Sequence, residues 1–363
     1  MRQALVLILV AWLGVTACSP STPSASPSTV PGTSPANSAI PTLDKGDHVA
    51  VLPVTTFGHM VVDPMTGHVF ISSPDANAIV VLDYFANIVR TIPNEAGADG
   101  MVVSGSSLYV ALTTAGAIDE ISTTGLSRRR TLVSGLEQPA DLVMAGGRLW
   151  TTTGACTNFS TQLVSIDPLT GAMDMYPAPP NSNLSYCMEF AGSAALRNVL
   201  LAWDIGLSPA TITEIDVSTG APVALVSRRE DILGNLQDIA ITPDGSAFIT
   251  ASGAPYEFDE WRMSDLMQDG VIYPGVPYPI SVAVNQAGTI AGGLYSPTGW
   301  TLREYRLGRP DYLYSGAFGT QTNQLFARGL SFTPDGSRLL VVTGDQQLGE
   351  KTVIFNSLAA RSA

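Results

Sequence analysis

From His48 onward, short apolar runs alternate with turns that contain Gly, Pro, Asp and Asn. Little of this stretch shows the period of about 3.6 residues that marks an amphipathic helix. Short β-rich runs bounded by turn residues at regular spacing are typical of an all-β domain. The pattern therefore predicts an all-β fold.

The β-rich runs also repeat along the chain. The stretch "MVVDPMTGHVFIS" from Met60 matches "MVVSGSSLYVAL" from Met101 and "LVMAGGRLWTTT" from Leu142. Fainter copies start at Met188, Ile239, Val282 and Leu330. A third strand, such as "AIVVLD" or "TITEID", follows each copy, and a fourth leads into the next. Successive copies are about 40–50 residues apart, which is close to the period of a four-stranded propeller blade.

The seven copies predict a closed β-propeller of seven four-stranded blades over residues 48–358. The last copy lacks a fourth strand, whereas "HVAVLPV" from His48 is a strand without a blade. Adding this N-terminal strand to the seventh blade would close the ring, because closure removes unpaired sheet edges. Residues 359–363 would form a short tail.

The N-terminal 17 residues are positively charged at the start and apolar thereafter. The uncharged stretch from Ala4 to Ala17 is shorter than the roughly 20 residues that a membrane-spanning helix needs. Its end, "VTAC", resembles the lipobox of bacterial lipoproteins. The resemblance implies a signal peptide over residues 1–17, cleavage before Cys18, and attachment of diacylglycerol and often a further acyl chain such as palmitate to Cys18. The alternative is an ordinary secretory leader with an incidental cysteine.

The segment after Cys18 is rich in Ser, Pro, Thr and Ala and carries no charge from Ser19 to Thr42. Such a composition favours an extended tether, which we place at residues 18–47. Two or three acyl chains would hold the protein stably on a membrane. The sequence therefore predicts an envelope lipoprotein, anchored in the cell membrane and facing away from the cytoplasm.

The turns carry a second resemblance. The stretches "TPDGSRLLVVTG" from Thr333, "TPDGSAFIT" from Thr242 and "IDPLTG" from Ile166 resemble the YVTN, NHL and TolB-like propeller families of bacteria. The likeness extends over residues 48 to 358. It implies the fold and no particular activity, since these families include lactonases, lyases, scaffolds and sensors. In such turns Asp caps the turn and Gly adopts a positive φ, so we expect these residues to be structural.

The remaining cysteines are Cys156 and Cys187. Cys156 follows the second strand of blade three, and Cys187 lies at the entry to blade four. Both positions are expected at one rim of neighbouring blades, and the predicted compartment is oxidising, which favours a disulfide. The alternative is two free buried thiols.

The first strands of propeller blades converge at the mouth of the central channel. Aligning the copies places these residues just before the first strands: His59, Gly100, Asp141, Cys187, Asp238, Ser281 and Gly329. One position further back lie Asp99 and Arg328. The carboxylates of Asp99, Asp141 and Asp238 could bind Ca²⁺, which prefers oxygen ligands. The alternative is that Asp caps the turn between blades.

Glu189 interrupts the pattern of the first strands, because the other copies carry Val, Ala or Ser at its aligned position. A carboxylate inside a strand has a raised pKa or a specific partner, and such groups cluster at functional sites. The alternatives are an alignment that slips in this weakest copy, or a Glu bonded to a nearby Tyr or backbone amide.

Aromatic side chains are frequent near the second-to-third-strand loops of blades four to six. They are Trp203, Tyr256, Tyr295 and Trp300. If exposed, they would form a binding face for a protein, peptide or carbohydrate. The alternative is packing at strand ends.

Two functional hypotheses follow. The first is a membrane-anchored binding module for a protein, peptide or carbohydrate of the envelope. The second is a Ca²⁺-dependent hydrolase or lyase of the lactonase type, with the cation held by the mouth carboxylates and Glu189. The lactonase and streptogramin-lyase resemblance implies a histidine in a later blade, but the histidines of this chain are His48, His59 and His68. The chain has 31 acidic and 18 basic residues, and this excess of negative charge disfavours nucleic acid as a partner.

Overall fold

The computed structural model describes residues 46–155, 161–182, 184, 187–296, 299–318, 323–345 and 352–361. Within these residues the chain forms 28 strands, arranged as seven sheets of four antiparallel strands. The predicted all-β fold with seven four-stranded blades is confirmed. The predicted signal peptide, Cys18, nearly all of the tether and Cys156 lie outside the described residues. The Cys156–Cys187 disulfide therefore stays a prediction.

The strands follow one another as the repeats predict. The first described strand is β1 (His48–Val51). Blade one consists of β2 (Met60–Val62), β3 (Val69–Ser73), β4 (Ala78–Leu82) and β5 (Ile88–Pro93). Blade two consists of β6 (Ala98–Ser104), β7 (Ser107–Leu112), β8 (Ala117–Ser122) and β9 (Ser127–Ser134). Blade three consists of β10 (Val143–Ala145), β11 (Arg148–Thr153), β12 (Gln162–Ile166) and β13 (Met173–Tyr176).

Blades four to seven follow in the same order, and the strands are longer on average from blade five onward. Blade four consists of β14 (Met188–Ala191), β15 (Val199–Asp204), β16 (Ile212–Asp216) and β17 (Val223–Arg228). A 3₁₀ turn at Asp231–Leu233 leads into blade five, which consists of β18 (Gly234–Ile241), β19 (Ala247–Ala254), β20 (Glu257–Arg262) and β21 (Gln268–Pro274). Blade six consists of β22 (Pro279–Val284), β23 (Thr289–Ser296), β24 (Gly299–Arg306) and β25 (Arg309–Phe318). Blade seven contains β26 (Asn323–Phe332), β27 (Arg338–Asp345) and β28 (Thr352–Ala359).

The N-terminal strand closes the ring. β1 is the outermost strand of blade seven and pairs antiparallel with β28, so that His48 lies opposite Ser357 and Val51 opposite Ile354. The predicted closure is therefore confirmed. It leaves the two ends of the described chain in one sheet and covers an edge of β28 that would otherwise be unpaired.

The apolar core lies between the blades. In the described part of the chain, seven clusters of buried apolar side chains each join two neighbouring blades. Ile71 and Val342, for example, belong to the cluster that joins blades one and seven. Because β3 and β4 pack against a neighbour on both faces, all their residues are buried, whereas β5 at the outer edge is largely exposed. The middle strands therefore read as continuous apolar runs.

The Asp residues of the turns have the predicted structural role. The Asp244 carboxylate accepts hydrogen bonds from the Thr242 hydroxyl (2.7 Å) and the Ser246 backbone N–H (3.1 Å). Gly245, which follows Asp244, has a φ of 74°. The hydrogen bonds of the carboxylate are therefore made within the turn, which is the structural role expected for Asp244.

No helix among the described residues is long and apolar enough to span a membrane.

Candidate functional site at the channel mouth

Side chains one position before the first residues of the repeats link neighbouring blades. Each accepts a hydrogen bond from a backbone N–H at the start of the next blade. The three bonds are His59 Nδ1 with Met101 N (3.0 Å), Asp141 Oδ2 with Phe190 N (2.8 Å), and Asp238 Oδ2 with Val282 N (2.9 Å). For Asp141 and Asp238 the interpretation as caps between blades is therefore correct.

Backbone irregularities occur at the same position of several first strands. The pairing register shifts in β6, β18, β22 and β26, just where the mouth residues lie. A β-bulge bends the strand and changes the direction of a side chain. In β26 the shift falls between Leu325 and Leu330 and includes Arg328, which has a φ of 57°.

Arg328 extends across the channel from blade seven to blades three and four. Its Nη1 lies 2.9 Å from Asp141 Oδ2 and 3.7 Å from Glu189 Oε2. The guanidinium carbon lies 5.9 Å from the centre of the Trp203 ring, a distance suited to a cation–π interaction. The predicted mouth residues thus gather around a guanidinium. We call Arg328, Asp141, Glu189 and His59 the mouth cluster.

The mouth cluster divides the channel into two cavities. The mouth cavity has a volume of about 290 Å³, and its lining includes Asp99, Asp141 and Glu189. The channel cavity has a volume of about 830 Å³ and extends along the first strands of the blades. His59 and Arg328 line both cavities. They therefore form the boundary between the two.

The hydrogen bonds place Glu189 among the mouth residues. Asp141 binds the backbone N–H of Phe190, whereas His59 and Asp238 bind those of Met101 and Val282, the first residues of their repeats. Phe190 is therefore the equivalent of these first residues. Glu189, which lies within β14, occupies the position that Asp141 and Asp238 have in their repeats. The alignment is off by two residues in blade four, as one of the alternatives held. Cys187, two positions earlier, does not occupy the position that the alignment assigned to it.

Burial and the Arg328 charge set the protonation of the mouth cluster. Burial and the nearby guanidinium lower the pKa of His59 to about 3, so the ring is neutral at pH 7. This agrees with the geometry, because Nδ1 must be unprotonated to accept the Met101 N–H. Burial opposes ionisation of Asp141, but the Arg328 charge and the hydrogen bonds from Phe190 and Arg328 act together against it, and the pKa of Asp141 lies below its ordinary value. Asp141 and Arg328 therefore form a charged pair.

The other carboxyl groups at the mouth have raised pKa values. Burial raises the pKa of Glu189 to about 7, even though Arg328 opposes the rise. Burial also raises the pKa of Asp238 to about 6 and, together with the Asp141 charge, that of Asp99 to about 6. One guanidinium therefore does not keep all four carboxyl groups ionised in the neutral range.

The carboxylates of Asp141 and Asp238 at the mouth already have partners within the protein. Among the described residues, no group of three or more His, Cys, Asp or Glu side chains is arranged to hold a metal ion. The Asp141 and Asp238 carboxylates accept backbone N–H groups, and Arg328 provides a positive charge at Asp141. Calcium, and with it the hydrolase or lyase hypothesis, stays a prediction from the sequence.

The predicted aromatic face is correct in part. Trp203 and Trp300 are 0% and 3% exposed, so neither is available to a partner. Trp203 belongs to the core between blades four and five, and Trp300 stacks on Phe318 at 4.8 Å. For these two residues the binding interpretation is wrong and strand-end packing is right. Large flat rings gain most from filling the space between blades.

Tyr256 and Tyr295 do lie on the surface, at 46% and 38% exposure. Sequence reasoning missed Tyr278, which is half-buried between them. Its ring centre lies 5.9 Å from that of Tyr256 and 6.4 Å from that of Tyr295. We call Tyr256, Tyr278 and Tyr295 the tyrosine cluster. The available signal was a tyrosine between prolines in "YPGVPYPI", a loop that joins blades five and six.

Glu189→Gln should become more stable, relative to the wild type, as the pH rises from about 5 to about 8. The pKa of Glu189 is raised from 4.5 to about 7, so its contribution to stability is lost as the pH rises through about 7. Gln has no such proton to lose. The difference in free energy of unfolding, variant minus wild type, should rise by on the order of 2 kcal/mol across this range.

Urea unfolding at several pH values measures this difference. Glu137→Gln, at an exposed position that lines neither the mouth cavity nor the channel cavity, is the matched control. The charged or titratable groups around Glu189 are Arg328, Asp141, Asp238 and Asp99, and all are present in both proteins. A difference that stays constant or falls with pH would contradict the raised pKa.

Comparisons with known proteins show the fold. No protein-family model and no curated protein matches this sequence. Among solved structures, the chain is similar to hydrazine synthase of Kuenenia stuttgartiensis, with a TM-score of 0.65 and 13% identity over 86% of this chain and 98% of that one. It is also similar to the β-propeller domain of Cps50 (Swd1) from Myceliophteria thermophila, with a TM-score of 0.64 and 11% identity over 86% of this chain and 99% of the other.

The WD40 repeats of RRP9 match with a TM-score of 0.63 and 13% identity over 85% of this chain and 97% of that one. Identities this low show the propeller architecture alone. The likeness to the YVTN, NHL and TolB-like families stays a prediction from the turn motifs.

Proposed function

We propose that this protein is a membrane-anchored binding module of the envelope. Its partner is a protein with a basic surface segment, bound at the mouth face over blades five and six. The fold supports this proposal in general terms, since propellers of the WD40 type commonly serve as interaction scaffolds. The observation that carries it is the exposed tyrosine cluster.

The tyrosine cluster has the composition of an interaction hot spot. Tyrosine offers a large apolar ring and a hydrogen-bonding hydroxyl at little loss of side-chain entropy, and it is enriched where partners bind most tightly. Val276, at 63% exposure, adds apolar surface on the same inter-blade connection. Asn235 contacts the Tyr278 hydroxyl and helps to hold that ring in place.

The backbone at Tyr256 supports a functional role. Its φ is 77°, a conformation that a bulky side chain rarely adopts. Such conformations cost on the order of 1–3 kcal/mol and are concentrated at binding and catalytic sites. The turn at Tyr256 leaves the ring 46% exposed on the surface, where a partner can cover it.

The charge of the chain favours a basic partner. The formal net charge is −13, so long-range attraction would speed the approach of a cationic surface. We therefore expect binding to weaken as the salt concentration rises. A carbohydrate ligand would show little salt dependence.

The double variant Tyr256→Ala/Tyr295→Ala should lose at least about tenfold in affinity, because each buried aromatic anchor is worth about 1–2 kcal/mol or more. The measurement is binding of the purified propeller to arrays of defined basic peptides and defined glycans. Tyr312→Ala is the matched control, since Tyr312 is 55% exposed on β25 at the outer edge of blade six. Equal binding by the double variant and the control would refute the role of the cluster, and selective binding to glycans would refute the protein partner.

The membrane anchor is proposed from the sequence of the leader and tether. Cys18→Ser should abolish incorporation of labelled palmitate and move the protein from the membrane fraction to the soluble fraction. Lipid attachment requires the sulfur of Cys18. Without lipid attachment, the N-terminal segment acts as a secretory leader only, and the protein is secreted. Ser19→Ala, at the residue next to Cys18, serves as the control substitution. Membrane association that survives Cys18→Ser would rule out the lipid anchor.

A further inference from the structure

We propose that the channel cavity binds a small apolar carboxylate, such as a fatty acid, with the carboxylate on Arg328 and the apolar chain against the first strands. This site is separate from the tyrosine cluster and does not depend on the proposed protein partner. It rests on the size of the cavity, its walls and the free donors of Arg328.

The channel cavity has the size of a small-molecule site. Its volume of about 830 Å³ lies within the roughly 300–1,000 Å³ that is usual for ligand pockets. A neighbouring cavity of about 260 Å³ shares Ala240 and Ser331 with it and extends along blades six and seven. The space accommodates an elongated ligand.

Several side chains on the walls of the channel cavity are apolar and incompletely covered. Val102, Val103, Met144, Ala240 and Ile241 line the cavity and are only half-buried. Water against such walls is unfavourable, and covering apolar surface gains roughly 25 cal/mol per Å². An acyl chain in the cavity would cover these side chains.

Arg328, at the closed end of the cavity, has N–H donors that no protein group in the described residues accepts. A guanidinium carries five N–H donors, of which Nη1 is used toward Asp141. Among the described residues, Nε and Nη2 of Arg328 have no hydrogen-bond partner. Planar carboxylates match the geometry of the guanidinium and form the strongest hydrogen bonds with it. The ligand head group is therefore assigned to Arg328.

The negative charges of the mouth lie on the other side of Arg328. Asp99, Asp141 and Glu189 line the mouth cavity and not the channel cavity. From the channel, the groups at the closed end are the Arg328 guanidinium and the neutral His59 ring. The negative charges of Asp99, Asp141 and Asp238 would still repel a bound carboxylate. The bound carboxylate would in turn favour the protonated form of Glu189. Binding should therefore weaken as the pH rises from about 6 to about 8.

Fluorescence titration with 11-(dansylamino)undecanoic acid and its methyl ester tests the proposal. We expect saturable binding of the acid, about tenfold tighter than that of the ester, because the ester lacks the charge that Arg328 recognises. The affinity for the acid should fall by a few-fold between about pH 6 and pH 8, while that for the ester stays constant.

Channel-filling variants locate the probe. Ala240→Trp and Ser331→Trp should each weaken binding by about tenfold or more, because either ring occupies the space of the acyl chain. Ala221→Trp, at an exposed turn between β16 and β17, is the matched control. Arg197→Gln removes an exposed arginine at the opposite end of the cavity and should leave the affinity unchanged. Circular dichroism confirms that each variant folds.

Four results at a single pH would overturn the proposal, and a fifth comes from its pH dependence. The four are no saturable binding by the wild type, equal affinity for acid and ester, binding unaffected by both Trp variants in the channel, and loss of binding in Arg197→Gln. The last result would place the head group at the open end. An acid affinity that is constant between about pH 6 and pH 8 would equally contradict its position beside Arg328 and Glu189.

Discussion

Replacement of Arg328 by Met is expected to lower the free energy of unfolding by about 3–5 kcal/mol. Arg328 is the partner of Asp141, whose side chain is 3% exposed. Without the guanidinium, Asp141 must either remain charged in a buried site or take up a proton. Because Met fills a similar volume, most of the lost free energy of unfolding would come from the missing charge and little from a cavity.

Urea unfolding of the purified propeller measures this effect. Arg262→Met is the matched control, because Arg262 pairs with Asp265 and Asp269 on the surface, where ion pairs contribute about 0–1 kcal/mol. The double variant Asp141→Asn/Arg328→Met should recover part of the stability, since it removes both charges. A loss in Arg328→Met as small as that in Arg262→Met would show that the mouth cluster does not stabilise the ring.

The second large effect is expected for Gly100→Ala, which should destabilise the protein by about 3 kcal/mol or more. Blades two and three approach each other through backbone at this point, where Gly100 N donates to Ala140 O (2.8 Å). A Cβ on Gly100 would lie 2.3 Å from Ala140 O and 2.5 Å from Asp141 Cα. Both neighbours are backbone atoms, so the two blades must move apart.

Thermal unfolding compares this variant with Gly125→Ala in the same blade. A Cβ on Gly125 would meet the Ser122 side-chain oxygen at 3.2 Å, and a rotation of that side chain relieves the contact. Movement of Asp141 in Gly100→Ala should also weaken its pair with Arg328, so combining Gly100→Ala with Arg328→Met should give less than the sum of the two losses. Similar melting temperatures for the two glycine variants would contradict the close approach of the blades.

The blades could be predicted because their signals are local. Each hairpin turn and each apolar run lies within a dozen or so residues, as in "TPDGSRLLVVTG" from Thr333, and the repeat multiplies that signal. The same regularity placed His59, Asp141 and Asp238 at one mouth. In blade four the weak copy shifted Glu189 by two residues, and the hydrogen bond from Phe190 to Asp141 was needed to correct it.

The rest of the site depends on contacts between distant parts of the chain. Arg328 and Asp141 are 187 residues apart, and no periodicity indicates that one crosses the channel to the other. Trp203 and Tyr256 look alike as loop aromatics in the sequence, yet one is buried and the other is exposed. The difference arises because Trp203 lies in β15 and its side chain packs between blades four and five, whereas Tyr256 lies in a turn with a positive φ.

By itself, therefore, the sequence determined the all-β class, the seven blades, their order and the closure by β1, since turns and strand patterns act over short distances. It also carries the predicted lipid anchor. Only the tertiary structure decided that a guanidinium occupies the channel mouth, that apolar side chains meet in the channel below it, and that three tyrosines meet at the surface. Those features depend on which side chains the closed ring brings face to face, and closure joins residues that are far apart in the chain.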